Sequence, residues 1–436
     1  MIKNLFFLDK FYLTGFILLI PTSINLSITQ FLSPVLNAIM GRTERPELSI
    51  SAFSIAFSIL FLIALPNLRI QQLTIVYYKN FNKYKIHFFV VLLSIICLFI
   101  SVIIIFTPIS SFFLGNIFGT KGDLRDSVEK GLRLGFYIPV LLILKMHLYG
   151  ISIVSYRSSL IWIGTIFGFL SACLLAVFFF ILNYEGYQIG MLSFSISLFL
   201  ETLLIFFLVR KYLIDSDHKL DRNIFFVGDL FKFFTPLLFA AFLPAFTLPA
   251  VNACLTRLEN PEISISAVNV GFGIFGAVSF TINGCQSTIL SLISNGYKFA
   301  RIREFSYFVG FITLIICSII AWINPINEFI FVDLFNLQGN LYKSTLLVFR
   351  LLSFLPPFLV MEQLYVGIIM NSKSTNPIIY INLCRFLVLI MTLGTGILVF
   401  KNFESYGAIV GGSAWSLTLF FEAIFAWLFA RKIAKP

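Results

Sequence analysis

Apolar residues run through this chain in long blocks, and the short segments between them hold most of the charge. Twelve blocks fall at approximately 12–39, 49–76, 86–108, 128–154, 158–183, 188–211, 229–254, 264–292, 304–330, 344–370, 377–400 and 406–430. Each is long enough to cross roughly 30 Å of hydrocarbon as a helix. The short alternating segments of a membrane barrel are missing. The pattern therefore predicts an all-α integral membrane protein with twelve transmembrane helices. The first block continues past Pro21 without a small-residue cleavage site, so it is expected to be retained as a helix.

Lys and Arg set the expected orientation. With the N-terminus inside, the inner segments hold 17 of them and the outer loops 8. Both termini are thus predicted to be cytoplasmic, in a plasma or inner membrane. The longest inner connection, 214–228, is read as a solvated linker between a six-helix lobe at 1–213 and a second at 229–436.

The two halves repeat. Residues 34–52 and 249–267 share P-x-x-N-A-x-x-x-R-x-E-x-P-E-x-S-I-S-A at a constant offset of 215 residues. Pro21 and Pro236, Phe57 and Phe272, Gln71 and Gln286, and Lys83 and Lys298 keep that offset. In the fourth and tenth spans Arg133, Pro139, Lys145 and Gly150 match Arg350, Pro356, Glu362 and Gly367 at an offset of 217, and the Lys becomes a Glu. In the sixth and twelfth, Glu201 and Arg210-Lys211 match Glu422 and Arg431-Lys432 at an offset of 221. Six helices separate equivalent positions. The lobes are therefore expected to be parallel repeats about an axis along the membrane normal, with a cavity between them that rocking can expose to either side.

Composition agrees and removes alternatives. The chain of 436 residues is 59% hydrophobic and 12% charged, with a mean hydropathy of +0.96. The formal charge of +11 is spread over loops, so topology explains it and nucleic acid is not an expected partner. The 54 Phe residues are assigned to lipid-facing and inter-helix packing. Six cysteines without C-x-x-C spacing and histidines scattered at 87, 147 and 218 suggest neither disulfides nor a metal site. No nucleotide-binding, zinc-hydrolase or nucleophile-elbow motif is present. The expectation is a non-enzyme without cofactors, working as a monomer in the bilayer.

Intramembrane polar residues are the candidate chemistry, because a charge at the bilayer centre costs about 2.5–3.5 kcal/mol on insertion scales. Lys145 and Glu362 lie six residues after a proline whose missing N–H loosens the helix. They are read as substrate-binding in a central cavity, the alternative being a static buried ion pair. Arg69, Gln71, Gln286 and Asn283 add an anion contact and neutral hydrogen bonds, with snorkelling the competing account of Arg69. Glu201, Glu422 and Glu362 are candidates for ion coupling by H+ or Na+, although pairing of the first two with Arg385 or another helix is favoured. Arg133 and Arg350 are expected to meet headgroups. Asn37, Arg42, Asn252 and Arg257 form charged outer corners, read as an outer gate. Ser49 and Ser264, with the preceding Glu, are expected to cap the helices that follow Pro46 and Pro261.

These residues resemble a known superfamily. Pro21 through Arg42-Thr-Glu and Ser51-Ala-Phe-Ser-Ile-Ala resembles the first hairpin of the multidrug/oligosaccharidyl-lipid/polysaccharide exporters, which include the MATE transporters. Phe349-Arg350-Leu-Leu-Ser353-Phe-Leu-Pro356-Pro357, Gly367-Ile-Ile-Met, Cys384-Arg385-Phe-Leu, Tyr406-Gly407-Ala-Ile-Val-Gly411 and Glu422, in that order, resemble the progressive ankylosis (ANK) family. The resemblance implies a MATE-like fold and rocker-switch export of small polyanions such as citrate, pyrophosphate or nucleotides. It also implies arginines where this chain has Ala245, Leu248 and Glu362, and their loss weakens a site for a highly charged anion. The expected function is a secondary transporter of a small polar metabolite, an organic anion. The alternatives are a proton- or sodium-coupled exporter of cationic drugs, a lipid-linked precursor flippase and, in a different class, a non-transporting membrane scaffold or receptor.

Overall fold

In the computed structural model we describe residues 10–433, except 28–30, 65–66, 68, 79–82, 156, 158, 215–226, 295, 372–375 and 401–406. Most of the expected linker lies outside the described residues. Those described are almost entirely helical, with no strand among them.

The first half holds Lys10–Ser27 (α1), Leu32–Met40 (α2), Pro46–Ala64 (α3), Ile70–Tyr77 (α4) and Lys83–Phe106 (α5). A single turn, Ile109–Phe112 (α6), runs into a π-helical turn at Phe113–Ile117, followed by Gly122–Gly135 (α7), Ile138–Val154 (α8), Ser159–Ile181 (α9) and Gly186–Ile214 (α10). The second half repeats the plan with Val227–Ala245 (α11), Thr247–Leu255 (α12), Pro261–Val278 (α13), Phe280–Asn283 (α14), Cys285–Ser294 (α15) and Phe299–Trp322 (α16). Asn324–Glu328 (α17) enters a second π-helical turn at Phe329–Leu334. Gly339–Leu352 (α18), Pro356–Asn371 (α19), Asn376–Phe400 (α20) and Gly407–Ile433 (α21) complete the chain.

Among the described residues nine helices are long and apolar enough to span a membrane, ten if the bent pair α18–α19 is one span. The two runs that fall short of the expected twelve are the first and seventh, where the apolar helices Lys10–Ile20 and Ala241–Leu255 are shorter. Proline explains the interrupted fourth and tenth spans. Pro139 and Pro356 stand at the start of α8 and α19, where a missing N–H leaves no bond unmade. Their helices restart there, with a bend of 46° in the second case. The expected disturbance in mid-helix is therefore a helix boundary.

Packing divides the chain into two compact units whose contents differ from the sequence halves: residues 1–38 join 257–436, and 39–256 form the other. The first helix of each half thus belongs to the unit built from the opposite half. In the first unit α1 packs on α14 and α15; Phe11, Tyr12 and Leu19 enter a core with Ile289, Phe305 and Val309. In the second, α12 packs on α3 and α11 on α4, and Phe234 is buried against Phe89.

The doubled motif makes these exchanged contacts. Asn252 Nδ2 donates to the Ser54 carbonyl at 3.2 Å within its unit. Asn269 Nδ2 donates to Asn37 Oδ1 at 3.4 Å within the other. Ser54 and Asn269 are themselves repeat mates, 215 residues apart. Both motif asparagines are buried, and each takes part in a contact between helices of its own unit.

The capping expectation needs correcting. Asn260, which precedes α13, adopts φ 51° and makes no side-chain cap bond. Ser49 and Ser264 lie three residues inside their helices and pack against glycines. A Cβ on Gly186 would overlap Ser49 Oγ, and one on Gly407 would overlap Ser264 Oγ. These glycines are also repeat mates, and they let α10 and α21 begin in contact with α3 and α13. Gly186→Ala should lower the thermal unfolding midpoint by overpacking worth about 1–3 kcal/mol. Adding Ser49→Gly should restore it, and a scan of the two variants side by side checks this.

Candidate functional site: two buried carboxylates on repeat-equivalent helices

Glu201 on α10 and Glu422 on α21 are buried. A carboxylate in hydrocarbon needs a cation or a water-filled surround, and each finds a cation within its own unit. Lys145 Nζ donates to Glu201 Oε2 at 3.1 Å, with both side chains 7% exposed. Arg385 Nη1 donates to Glu422 Oε1 at 3.1 Å. The cation therefore comes from the fourth span in one half and from the eleventh in the other. The acid position is repeated while its partner has moved by one helix.

The surroundings explain the shift. Gly168 on α9 faces Glu201 so closely that a Cβ would lie 2.6 Å from Oε2. No side chain fits between the two helices at that point, and the cation arrives instead from α8. Tyr149, one turn after Lys145, donates to the other Glu201 oxygen, and its hydroxyl also meets Thr165 Oγ1 at 2.9 Å. The Lys145 ammonium lies 5.6 Å from the Tyr149 ring centroid. Glu201 is thus held on both oxygens, and this cluster has balanced charge.

The second cluster holds one more carboxyl group than the first. Glu362, which replaces Lys145 in the repeat, is half-buried and lies within electrostatic reach of Glu422 and Arg385. Its Oε2 accepts from Gln363 Nε2 at 2.6 Å. Arg385 pairs with Glu422, and Glu362 has no ion pair of its own among the described residues. Arg385 Nε has no protein acceptor among the described residues, and one turn before Glu422 the buried Thr418 hydroxyl has no partner there either.

The remaining candidates are placed as follows. Arg69 immediately precedes α4, and Gln71 is half-buried one residue inside that helix. Gln286 Nε2 contacts Met370 Sδ at 3.0 Å, and Asn283 ends α14. Arg42 and Arg257 are exposed; Arg42 lines a polar cavity of about 470 Å³ with Glu44, Arg45, Asp123, Asp126 and Lys130. The headgroup assignment for Arg350 is replaced by a protein contact, because its Nε donates to the Ala321 carbonyl at 3.0 Å. Its guanidinium also stacks 4.7 Å from the Trp322 ring.

Two of the three histidines, scattered in sequence, meet in the fold. Thr74 Oγ1 donates to the Ile70 carbonyl at 2.9 Å, so it accepts from His147 Nδ1 at 2.8 Å. His147 Nε2 then accepts from His87 Nδ1 at 2.9 Å, and Tyr78 OH faces His87 Nε2 at 3.4 Å. With both rings neutral the chain runs in one direction and fixes both as Nδ1–H tautomers. Sequence carries no signal for this, since Ile302 and Leu364 occupy the corresponding positions of the other half. Arg385 did carry one, as an arginine in the middle of an apolar block.

These features are those of a multi-pass membrane protein, and its fold is similar to those of solved MOP superfamily transporters. The lipid II flippase MurJ in an inward closed conformation is similar with a TM-score of 0.71 at 16% identity, over 95% of this chain and 87% of that one. An inward-facing multidrug resistance MATE family transporter gives 0.65 at 14% identity, over 97% and 98%. A superfamily transporter from Pyrococcus furiosus, described as having a binding pocket of reverse polarity, gives 0.53 at 15% identity, over 98% and 96%. No family model and no curated protein matches the sequence.

Lys145→Met should leave Glu201 buried without its cation, at a cost of about 3–5 kcal/mol. The double variant Lys145→Met/Glu201→Gln should recover most of that loss, as read from thermal unfolding in detergent. In nitrogen-15 spectra of histidine-labelled protein, His87 and His147 should both show the Nδ1–H tautomer, and Thr74→Val should remove that preference at His147.

Proposed function

We propose that the chain is a secondary transporter that exports a small polar metabolite by rocker-switch alternating access, coupled to a cation at Glu362. The observation that carries this reading is the extra carboxyl group of the second cluster. Lys145 pairs with Glu201, whereas Glu362 stands within electrostatic reach of the Arg385–Glu422 pair and has no ion pair of its own among the described residues. An ionisable group inside a bilayer without a dedicated partner marks an ion or substrate path more often than a structural contact. A proton or Na+ at Glu362 neutralises it and leaves the Arg385 edge that Glu422 does not use open to a substrate, and its release lets Glu362 compete for that edge. In this reading Lys145 is a static ion-pair partner, and the substrate-binding role moves to Glu362 and Arg385. Arg69, Gln71, Gln286 and Asn283 remain secondary candidates, and Arg42 and Arg257 remain candidates for an outer gate.

An organic anion is the substrate class we favour, supported by the ANK-like order of Arg350, Pro356, Arg385 and Glu422 and by the unused donor of Arg385. Export of an organic cation is the second reading, supported by the extra carboxyl group of the same cluster. The flippase reading rests on fold likeness alone. We infer a monomer in the plasma or inner membrane with both termini cytoplasmic, following the Lys and Arg distribution.

Proteoliposomes loaded with citrate, pyrophosphate, nucleotides and cationic dyes test the proposal. At least one compound should leave faster than from protein-free vesicles under a proton or sodium gradient, and Glu362→Gln should abolish the dependence on that gradient. Release at the protein-free rate for every compound and gradient sinks the transporter reading. Release that ignores Glu362→Gln sinks the coupling assignment.

A further inference from the structure

Helices α5 and α10 both pack along α8 but share no extensive contact with each other. The gap between them is a groove of about 470 Å³ with α8 as its floor, within the usual range of ligand pockets, about 300–1,000 Å³. Leu144 and Leu148 lie on the floor, Tyr84 and Val91 on one wall, and Phe199, Leu203 and Phe206 on the other. Several of the lining side chains are large, apolar and exposed, among them Val91, Phe199 and Phe206, and α5 and α10 are both apolar enough to span a membrane. The medium such a face suits is hydrocarbon.

The polar groups in the groove are already engaged. His87 and His147 use their ring nitrogens on each other, Thr74 and Tyr78. The Thr202 hydroxyl donates to the Leu198 carbonyl at 2.7 Å. The surface thus suits an alkyl chain. At one end the chemistry changes. Lys83 shares the α5 stripe of His87 and Val91, and Arg210 shares the α10 stripe of Phe206 and Leu213, by helical spacing. Lys83 begins α5, its ammonium 5.3 Å from the Tyr78 ring, and Arg210 lies in the last turns of α10, its guanidinium 5.9 Å from the Phe207 ring, so both cations flank the end of the groove that Tyr84 and Leu213 line. From Phe199 to Leu213 the α10 wall runs about 21 Å at 1.5 Å per residue. That exceeds the roughly 15 Å hydrocarbon depth of one leaflet.

We propose that this groove holds one acyl chain of an anionic phospholipid from the leaflet on the Lys83 and Arg210 side, with its phosphate between those two cations. Charge complementarity at the rim selects this occupant over a zwitterionic lipid, since each basic side chain near the surface favours an anionic headgroup. The site lies within one packing unit and does not depend on the transport reading.

Native mass spectrometry of the full chain, equilibrated in micelles with equal phosphatidylglycerol and phosphatidylcholine of matched chains, tests it. The wild type should retain one phosphatidylglycerol, preferred on the order of tenfold. Lys83→Ala/Arg210→Ala should bring the two lipids to parity. Leu144→Trp, which fills the groove from its floor, and Leu203→Trp, at the more exposed wall, should each lose the bound lipid while remaining monodisperse. Equal retention of both lipids by the wild type overturns the proposal. So does undiminished retention in a folded Leu203→Trp variant.

Discussion

A carboxylate buried in hydrocarbon must be neutralised, and the two halves of this chain meet that demand at one repeated position with different partners. In the first half, Glu201 receives Lys145, Tyr149 and a close approach from the Gly168 backbone, and the two side chains satisfy both oxygens. In the second, Glu422 receives Arg385, and the position of Lys145 is occupied by another acid. A duplicated scaffold has thus kept its costly charge twice and met it with a cation from a different helix each time. Our proposal puts ion coupling at the extra carboxyl group beside the second pair.

The same repeat explains the local architecture. Glycines at the start of α10 and α21 admit Ser49 and Ser264. Gly150 packs against Thr74, and its mate Gly367 against Ile289, which is the repeat mate of Thr74. Such pairs tolerate sequence divergence elsewhere, because close helix approach depends on a missing side chain more than on the identity of a present one. The histidine pair shows the opposite case: Thr74 supplies a hydroxyl where Ile289 does not, and a hydrogen-bonded chain exists in one half only.

The helical membrane fold was legible because block length and charge placement are set by the bilayer itself. The repeat was legible because Asn37, Pro46 and their mates keep their spacing. Less could be read where the answer depends on which helix faces which. Lys145 and Glu362 stood out as a symmetry break, yet repeat register says nothing of neighbours, and the partner of Lys145 is set by the approach of α10 to α9 and α8. The exchange of first helices was hidden for the same reason, since a connection within one half reads alike whether its helix packs at home or away. Ser49 and Ser264 matched a capping pattern, but their true environment is a glycine more than a hundred residues downstream.

That exchange has a consequence for how the molecule is made. Ser23 donates to the Thr281 carbonyl, 258 residues later, so the unit containing α1 cannot close until most of the chain has left the ribosome. The first helix must wait in the bilayer, apolar and short, while α3 to α10 assemble without it. Each unit therefore closes only once helices from both halves of the chain are present, α1 in one and α11 and α12 in the other.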